Sequence, residues 1–235
     1  NDGAEIHTPY GATEAVPIIS IQSGEILTET RQLSEKGYGI CIGRPINNID
    51  IRIIKISDDP IERWTDDLTV SRGEIGEITV KGALVSRMYF ENPAADALAK
   101  IKEGTEIRHR MGDLGWMDEK GRLWFCGRKS HRVITTEETL FTIPCEAIFN
   151  NHPQVFRSAL VGVGPRPRQR PAIIAELEKT ASSINFQTLE KELLSMAAAN
   201  KLTQSIQTVL FHKAFPVDIR HNSKIFREKL TVWAE

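Results

Sequence analysis

The chain has 235 residues, of which 40% are hydrophobic and 26% charged, and its formal net charge at pH 7 is −1. This composition is typical of a globular protein with one large or two modest domains, and the near-neutral charge gives no field that would favour nucleic acid or a membrane surface. No apolar run approaches the roughly 18 residues of a membrane-spanning helix, and three cysteines without a CxxC pair indicate reduced thiols of a cytoplasmic protein.

The first motif with a chemical meaning is YGATEA, which begins at Tyr10. We predict a loop at the end of a strand. Gly11 would let the backbone approach a phosphate, the hydroxyl of Thr13 could donate to a phosphate oxygen, and the carboxylate of Glu14 could hold a hard cation. The alternative is a helix N-terminus, with Thr13 as the cap and Glu14 in the first turn.

The region that follows is rich in predicted strands. Residues 49–56 and 77–81 alternate with period two, which predicts one buried and one wet face for each strand. Frequent glycines between short strands favour a small barrel or a distorted antiparallel sheet. Asn92-Pro93 predicts the start of a helix, with proline at the first helical position. The glycine cluster at 37–43 lacks the Lys-Ser/Thr ending of a phosphate loop and fits a turn.

A hairpin is predicted between Gly112-Asp113 and Gly127-Arg128, with its turn at 118–121. A carboxylate beside a glycine can accept two hydrogen bonds from a vicinal diol such as that of a ribose, and a neighbouring guanidinium can pair with ribose or phosphate oxygens. The alternative is that both Gly-Asp and Gly-Arg are ordinary turn sequences.

The remainder of the chain predicts a smaller α+β domain. Its predicted elements are a hairpin of 132–135 with 140–143, strands at 158–162, 172–177 and 206–211, and helices at 144–151, 186–200 and 225–230. The basic run at 166–170 predicts an exposed loop, or a contact with an anionic partner such as a carrier domain or a CoA phosphate.

A polar loop at 218–224 ends with Lys224, just before the apolar Ile225 and Phe226. A flexible ammonium on an anchored loop can neutralise charge that develops on a phosphoryl group. The alternative is a solvated lysine in front of a helix.

Taken in order, five sequences resemble the C-terminal half of the adenylate-forming (AMP-binding) superfamily, which includes acyl-CoA ligases, luciferases and adenylation domains of peptide synthetases. They are YGATEA, GRP at 43–45, GEIGEITVKG at 73–82, the hairpin with its flanks, and NSKIFREKL at 222–230. The resemblance implies an α+β fold: a distorted antiparallel β-barrel subdomain followed by a small α+β C-terminal lid domain. Residues 1–127 would end the large N-terminal domain and 128–235 would form the small one.

The resemblance also implies roles for the first motif. Tyr10 would lie against the adenine, Gly11 would belong to the same nucleotide-binding loop, Thr13 would contact the α-phosphate, and Glu14 would hold Mg²⁺. ATP and Mg²⁺ are therefore the implied cofactors. The superfamily's phosphate loop and most of its acyl pocket would lie upstream, so we expect the chain alone to be inactive.

For the later motifs the resemblance implies that Asp113 binds the ribose, that Arg128 contacts the nucleotide, and that Lys224 stabilises the charge of the reacting phosphate. The hinge between domains would lie near 128–131, where Ser130 replaces the Asp or Lys of many relatives. Ser223 replaces the usual glycine before the lysine.

Three stretches are similar to the β-lactone synthetases of bacterial hydrocarbon biosynthesis: HTPYGATEAVPI, FCGRKSHRV and PCEAIFNNHP. This implies activation of a long-chain, β-hydroxy fatty acid followed by intramolecular lactone formation. Residues 133–138 lack the glycine with which acyl-CoA ligases approach their thiol, and Glu137 and Glu138 would disfavour an anionic CoA. A long-chain fatty acid–CoA ligase, with CoA as a further cofactor, and a non-catalytic interaction domain are the alternatives. Pathway enzymes or a carrier are candidate partners.

Overall fold

The computed structural model describes residues 3–179, 185–219 and 221–235, with the backbone alone for 221–223. The chain divides into two compact units: Asn1–Gln32 with Gly39–Ser130, and Leu33–Tyr38 with His131–Glu235. Among the described residues, no helix is long and apolar enough to cross a membrane.

The first unit is built on one eight-stranded antiparallel sheet. Its strands are β1 (His7–Ala12), β2 (Ala15–Gln22), β3 (Ile40–Pro45), β4 (Asp50–Ile54), β5 (Gly76–Lys81), β6 (Lys100–Glu103), β7 (Glu106–Met117) and β8 (Leu123–Arg128). The strand order is β1-β2-β3-β8-β7-β5-β4, and β6 pairs with β7. A closed barrel requires the two end strands to pair, and in the described part of the chain β1 and β4 do not. The sheet is therefore open, so the predicted barrel is wrong and the distorted antiparallel sheet is the form observed.

The helical segments up to residue 100 are short. They are α1 (Ser23–Glu25), a π-helical turn (Ile26–Thr30), α2 (Arg31–Glu35), a 3-10 turn (Asp66–Leu68) and α3 (Pro93–Ala99). The predicted start of α3 is confirmed, because the side chain of Asn92 accepts a hydrogen bond from the backbone N–H of Ala95 and proline occupies the first helical position.

Strand β5 differs from its predicted half-wet alternation. Glu77 is 1% exposed and Thr79 is fully buried. The side chains of Arg110 and Lys129 cover this face, since both bond Glu77 and the carbonyl of Ser57, so polar side chains there find partners. The hydroxyl of Thr79 donates to the carbonyl of Arg52 at 2.9 Å. Around these strands an apolar core forms from Ile18, Ile19, Ile51, Ile53, Ile78, Val80 and Leu123, among others.

The second unit has a three-stranded sheet covered by helices. The strands of this unit, including those outside the three-stranded sheet, are β9 (Val133–Ile134), β10 (Thr139–Leu140), β11 (Val155–Val163), β12 (Arg170–Leu177), β13 (Val209–Phe211), β14 (Val217–Asp218) and β15 (His221–Ile225). Its helices are a 3-10 turn that begins in the first unit (Lys129–His131), α4 (Thr142–Asn150), α5 (Phe186–Ala199) and α6 (Arg227–Ala234). β12 pairs antiparallel with β11 and parallel with β13, while β9 pairs with β10 and β14 with β15.

The predicted hairpin, the strands at 158–162 and 172–177, and the amphipathic helix are confirmed. α5 buries Leu189, Leu193 and Ala197, which is the face that the sequence predicted. The basic run forms an exposed loop, braced by Gln169, whose side chain accepts from the N–H of Ile134 and donates to the carbonyl of Gly162.

The predicted polar loop at 218–224 is wrong for the part of it that the structure describes. Residues from 221 onward form strand β15, which pairs with β14 through Val217 and Ile225. Ile225 belongs to a core cluster with Phe215 and Leu230, and Val217 packs against that cluster. Burial of these apolar side chains holds the segment as a hairpin, and the last helix starts two residues later than predicted. Residue 220 lies outside the described residues.

Candidate active site

The register of the β7–β8 hairpin places Asp113 directly opposite Arg128. The guanidinium Nη1 of Arg128 lies 3.0 Å from Oδ1 of Asp113. Arg128 is about half exposed, whereas Asp113 is 4% exposed. Gly112 allows this arrangement because its φ of +66° lies in the left-handed region, which other residues adopt only with strain. The two sequence motifs that flank the hairpin thus meet at one end of it.

Tyr10 completes the surroundings of Asp113. Its hydroxyl donates a hydrogen bond of 2.5 Å to Oδ2 of Asp113, and its ring centroid lies 6.3 Å from that of Phe125. β1 and β7 are not neighbours in the sheet, so this bond shows how strongly the sheet curves. Burial raises the pKa of Asp113, and Arg128 and the hydroxyl of Tyr10 oppose that shift. Burial and Asp113 both raise the pKa of Tyr10, which keeps its proton.

One oxygen of Asp113 is left without a hydrogen bond. The 3.0 Å contact from Arg128 to Oδ1 lacks the geometry of a hydrogen bond, and no other donor in the described part of the chain reaches this buried atom. An unsatisfied buried acceptor of this kind costs about 1–3 kcal/mol, and more when the group is charged. Oδ1 is therefore suited to accept a hydrogen bond from a bound hydroxyl group.

Thr13 and Glu14 form the turn between β1 and β2, where Ala12 pairs with Ala15. The helix N-terminus considered for Thr13 is therefore wrong, and the predicted loop after a strand is correct. Gly11 sits beside the turn, where an added Cβ would lie 2.5 Å from the carbonyl oxygen of Ala15. The β1–β2 hairpin itself therefore requires glycine at position 11.

The carboxylate of Glu14 is held by Tyr89, whose hydroxyl donates to Oε1 at 2.8 Å. The backbone carbonyl of Glu14 also accepts a hydrogen bond from the N–H of Ser86 at 2.8 Å. Partial burial raises the pKa of Glu14, but the hydrogen bond from Tyr89, a backbone hydrogen bond at Glu14 itself and smaller contributions from His109 and Lys100 outweigh it, so the pKa is lowered. Glu14 is therefore ionised at neutral pH.

Sequence reasoning missed the residues around Glu14. Lys100 lies 5.1 Å from the ring centroid of Tyr89, and its ammonium donates to the carbonyl of Ser86 at 2.7 Å. His109 approaches Tyr89 edge-on at 6.5 Å, and burial followed by Lys100 lowers the pKa of His109 to about 4. The sequence offered little signal, because Tyr89 lies in a segment without a regular pattern.

A second network joins Arg110, Lys129 and the buried Glu77. Nη2 of Arg110 lies 2.6 Å from Oε2 of Glu77, and Nζ of Lys129 lies 3.0 Å from Oε1. Both cations also donate to the carbonyl of Ser57. The charges of Arg110 and Lys129 offset the desolvation of the buried Glu77 carboxylate. The same ion pairs hold the side chain of Lys129, the residue next to Arg128, in place.

A cavity of about 650 Å³ opens beside these groups, a size typical of small-molecule sites. Its lining includes Thr13, Glu14, Tyr89, His109, Gly112 and Arg128. Tyr10 and Asp113 are not part of that lining, whereas Gly112, which precedes Asp113, and Ala12, two residues after Tyr10, are. Within the described residues, no three His, Cys, Asp or Glu side chains cluster as a metal site. A single carboxylate such as Glu14 fits Mg²⁺ that arrives on phosphates, since Mg²⁺ commonly takes one or two protein carboxylates there.

Lys224 lies in the second unit, on strand β15, and is exposed. The segment after it is anchored by Arg227, whose Nη2 lies 2.7 Å from Oε2 of the buried Glu146. Oε1 of Glu146 accepts from the N–H of Leu160 at 2.8 Å. The other predicted site residues all belong to the first unit, which brings Tyr10, Asp113 and Arg128 into direct contact.

No family model matches the chain. The chain is 47% identical, over 98% of its length, to the olefin β-lactone synthetase of Xanthomonas campestris pv. campestris, and it covers 42% of that protein. It therefore spans less than half the length of this curated relative.

Solved structures share the fold. The amide bond synthetase McbA from Marinactinospora thermotolerans matches with a TM-score of 0.75 and 21% identity, over 97% of this chain and 42% of that one. The O-succinylbenzoate coenzyme A synthetase MenE from Bacillus subtilis, in complex with ATP and magnesium, matches with a TM-score of 0.68 and 23% identity, over 97% of this chain and 42% of that one. At these identities the likeness establishes the fold alone.

Proposed function

Because the chain belongs to the adenylate-forming superfamily, whose members it matches in their C-terminal part, we propose that it completes the nucleotide site of an enzyme that activates a carboxylic acid with ATP. In this reaction a carboxylate oxygen of the acid attacks the α-phosphorus of ATP. The bond to pyrophosphate breaks, and an acyl-adenylate forms. Two anions must meet, so positioning and charge neutralisation dominate the catalysis.

The observation that carries the proposal is the buried, incompletely hydrogen-bonded carboxylate of Asp113. One of its oxygens is held by Tyr10, and the other has a cation beside it but no hydrogen bond. A ribose presents adjacent hydroxyls that can donate to such a carboxylate. We propose that Asp113 and Arg128 bind the ribose. Tyr10 both holds Asp113 by its hydrogen bond and lies against the face of the adenine.

Thr13 and Glu14 are assigned to the phosphates. Thr13 is exposed at the hairpin turn, beside the ionised Glu14, and both line the cavity. The hydroxyl of Thr13 can donate to the α-phosphate, and Gly11 keeps the turn in its tight form. Glu14 would hold Mg²⁺, which would supply neutralisation of the phosphate charge. The MenE protein with ATP and magnesium bound supports these two cofactors for the fold.

Lys224 is assigned to the reacting phosphate. It is an exposed ammonium on an anchored hairpin of the second unit. We propose that 128–235 forms the mobile small domain, that it pivots near 128–131, and that this motion brings Lys224 to the nucleotide. A cation at a developing anion can supply roughly 3–4 kcal/mol, by analogy with one oxyanion-hole donor.

For the second step we propose intramolecular lactone formation from a long-chain β-hydroxy acid. The β-hydroxyl oxygen attacks the acyl carbon, the bond to AMP breaks, and the hydroxyl proton leaves to solvent or phosphate. No thiol is needed, since the nucleophile is already part of the substrate. The 47% identity to an olefin β-lactone synthetase supports this product.

The alternative product is a CoA thioester, which the similarity to the MenE synthetase favours. The β9–β10 turn argues against it. The hydroxyl of Thr135 accepts from the N–H groups of Glu137 and Glu138, at 3.1 and 3.0 Å. This turn presents two exposed carboxylates, which would repel an approaching CoA.

The experiment uses the complete enzyme that contains this chain. We expect AMP release from ATP with a long-chain β-hydroxy acid in the absence of CoA, and a β-lactone as the product. The same acid without its β-hydroxyl is the control, and it should give acyl-adenylate without lactone. Strict dependence of AMP release on CoA would contradict the lactone, and no pyrophosphate exchange with any acid would favour a non-catalytic interaction domain.

A further inference from the structure

Glu14 is held from outside its own hairpin by the segment 86–89. The N–H of Ser86 donates to the backbone carbonyl of Glu14 at 2.8 Å, and the hydroxyl of Tyr89 donates to its Oε1 at 2.8 Å. One segment thus fixes both the backbone and the carboxylate of Glu14. Because Oε1 is occupied by a donor, the direction of the remaining oxygen, Oε2, is set by Tyr89.

Tyr89 is itself fixed by the helix that follows it. Its backbone N–H donates to Oδ1 of Asp96 at 2.8 Å, and α3, which carries Asp96, is capped by Asn92. The ring has Lys100 at 5.1 Å from its centroid and His109 edge-on at 6.5 Å. The ammonium of Lys100 also donates hydrogen bonds to Ser86. Lys100 therefore contacts both residues that hold Glu14, Ser86 and Tyr89.

We propose that Tyr89 is a positioning residue for Glu14, and that it aims the free oxygen of this carboxylate at the divalent cation that accompanies ATP. The inference rests on the proposed function. Carboxylates that bind metals are themselves hydrogen-bonded, and loss of such a partner typically weakens metal binding 10- to 100-fold. Tyr89 touches neither nucleotide nor acyl group in this proposal and acts through Glu14.

The test measures Mn²⁺ binding to the complete enzyme with ATP, by titration of the free-ion electron paramagnetic resonance signal. We expect Tyr89→Phe to raise the Kd for Mn²⁺ about tenfold, while the Kd for AMP without metal stays unchanged. Tyr38→Phe, which removes the hydroxyl of an exposed tyrosine of the second unit, is the matched control and should leave both constants unchanged. A Kd for Mn²⁺ within twofold of the unsubstituted enzyme overturns the inference.

A double-mutant cycle separates positioning from a general loss of structure. In a Glu14→Gln background, Tyr89→Phe should have no further effect on the Kd for Mn²⁺, because there is no carboxylate left to orient. An equal loss in both backgrounds would mean that Tyr89 supports the fold and would overturn the inference. If the unsubstituted enzyme binds no Mn²⁺ with ATP and shows no pyrophosphate exchange, the proposed function fails as well.

Discussion

Each unit of the molecule anchors its candidate catalytic segment with one buried glutamate, but the two segments present their side chains differently. In the first unit Glu77 holds Arg110 and Lys129, and the nearby Asp113 is buried in the sheet. In the second unit Glu146 holds Arg227, and the nearby Lys224 is exposed. The anchors are alike, whereas the two candidate functional groups differ in exposure: Asp113 is buried and Lys224 is exposed. The proposed function assigns them different roles, with Asp113 binding the ribose in a preformed site and Lys224 reaching the nucleotide from the second unit.

This difference has an energetic side. Asp113 is a buried carboxyl group with incomplete hydrogen bonding, and burial raises its pKa, so its charged form lowers the stability of the empty protein. The ammonium group of Lys224 is exposed and stays hydrated, so it lowers the stability of the folded protein little. We expect substitutions at the anchors to affect folding most, substitution of Asp113 to affect binding, and substitution of Lys224 to affect catalysis alone.

The largest effect on stability is expected for Glu77→Ala. It leaves Arg110 and Lys129 without their carboxylate, and Arg110 is only 3% exposed. Removal of one partner from a buried ion pair typically costs 3–5 kcal/mol, so we expect a loss of about 4–5 kcal/mol in the free energy of unfolding. Urea unfolding followed by tryptophan fluorescence measures it. Glu62→Ala, at an exposed pair of 3.9 Å, should change stability by less than about 0.5 kcal/mol, and equal effects for both would contradict the prediction.

Arg227→Ala should cost about 3 kcal/mol at neutral pH, because Glu146 loses its cation but keeps the N–H of Leu160. Burial raises the pKa of Glu146, and Arg227 opposes that shift. Loss of Arg227 therefore raises the pKa further. A carboxyl group with a raised folded pKa stabilises the fold below its unfolded pKa of about 4.3, and this contribution is lost as the pH rises through the folded pKa.

The difference in unfolding free energy between this variant and the unsubstituted protein should thus be small near pH 4 and grow toward pH 7. Urea unfolding followed by far-ultraviolet circular dichroism at several pH values measures it. A difference that is constant with pH would mean that Glu146 does not titrate in this range and that the Arg227 guanidinium acts through packing alone.

Local sequence patterns predicted the parts of the site that lie on one hairpin. The turn at 118–121 fixes the register of β7 and β8, so the approach of Asp113 to Arg128 follows from short-range rules. The bond between Tyr10 and Asp113, and that between Tyr89 and Glu14, join positions 103 and 75 residues apart. Such contacts depend on the order and curvature of strands, which periodicity does not encode.

The same limit explains the errors at Glu77 and at 218–224. Alternation predicted a solvent-exposed face for β5, but Arg110, Lys129 and the segment 57–59 cover that face. The polar sequence of 218–224 predicted a loop, but Val217 and Ile225 pack against or within the same core cluster and pair the segment into a hairpin. In both places, contacts with residues outside the local segment decided the outcome.

Asp113→Asn should separate binding from stability. The amide keeps the hydrogen bond from Tyr10 but loses the charge, so we expect about a 10- to 100-fold higher Kd for ATP in the complete enzyme, as for loss of a charge-assisted hydrogen bond. Because burial raises the pKa of Asp113, its ionisation destabilises the empty fold as the pH rises above the unfolded value of about 3.9.

The Asn variant lacks this loss, so its stability relative to the unsubstituted protein should increase with pH from about pH 4 upward and then level off. Calorimetric titration with ATP and urea unfolding at several pH values provide the two measurements. Weaker ATP binding together with a stability difference that falls with pH would show that Asp113 is stabilised as an anion in the empty site.

Lys224→Ala should have the smallest effect on folding, less than about 0.5 kcal/mol in the free energy of unfolding, because the side chain is exposed and the hairpin is anchored by Ile225 and Arg227. Pyrophosphate exchange by the complete enzyme should nevertheless fall by about 10²–10³-fold, as on removal of one group that stabilises a developing anion. Lys213→Ala, at another exposed lysine of the same unit, should leave both quantities unchanged. If Lys224→Ala exchanged pyrophosphate as fast as Lys213→Ala, Lys224 would have no part in adenylation. Asp113 and Lys224 would then differ only in their exposure to solvent.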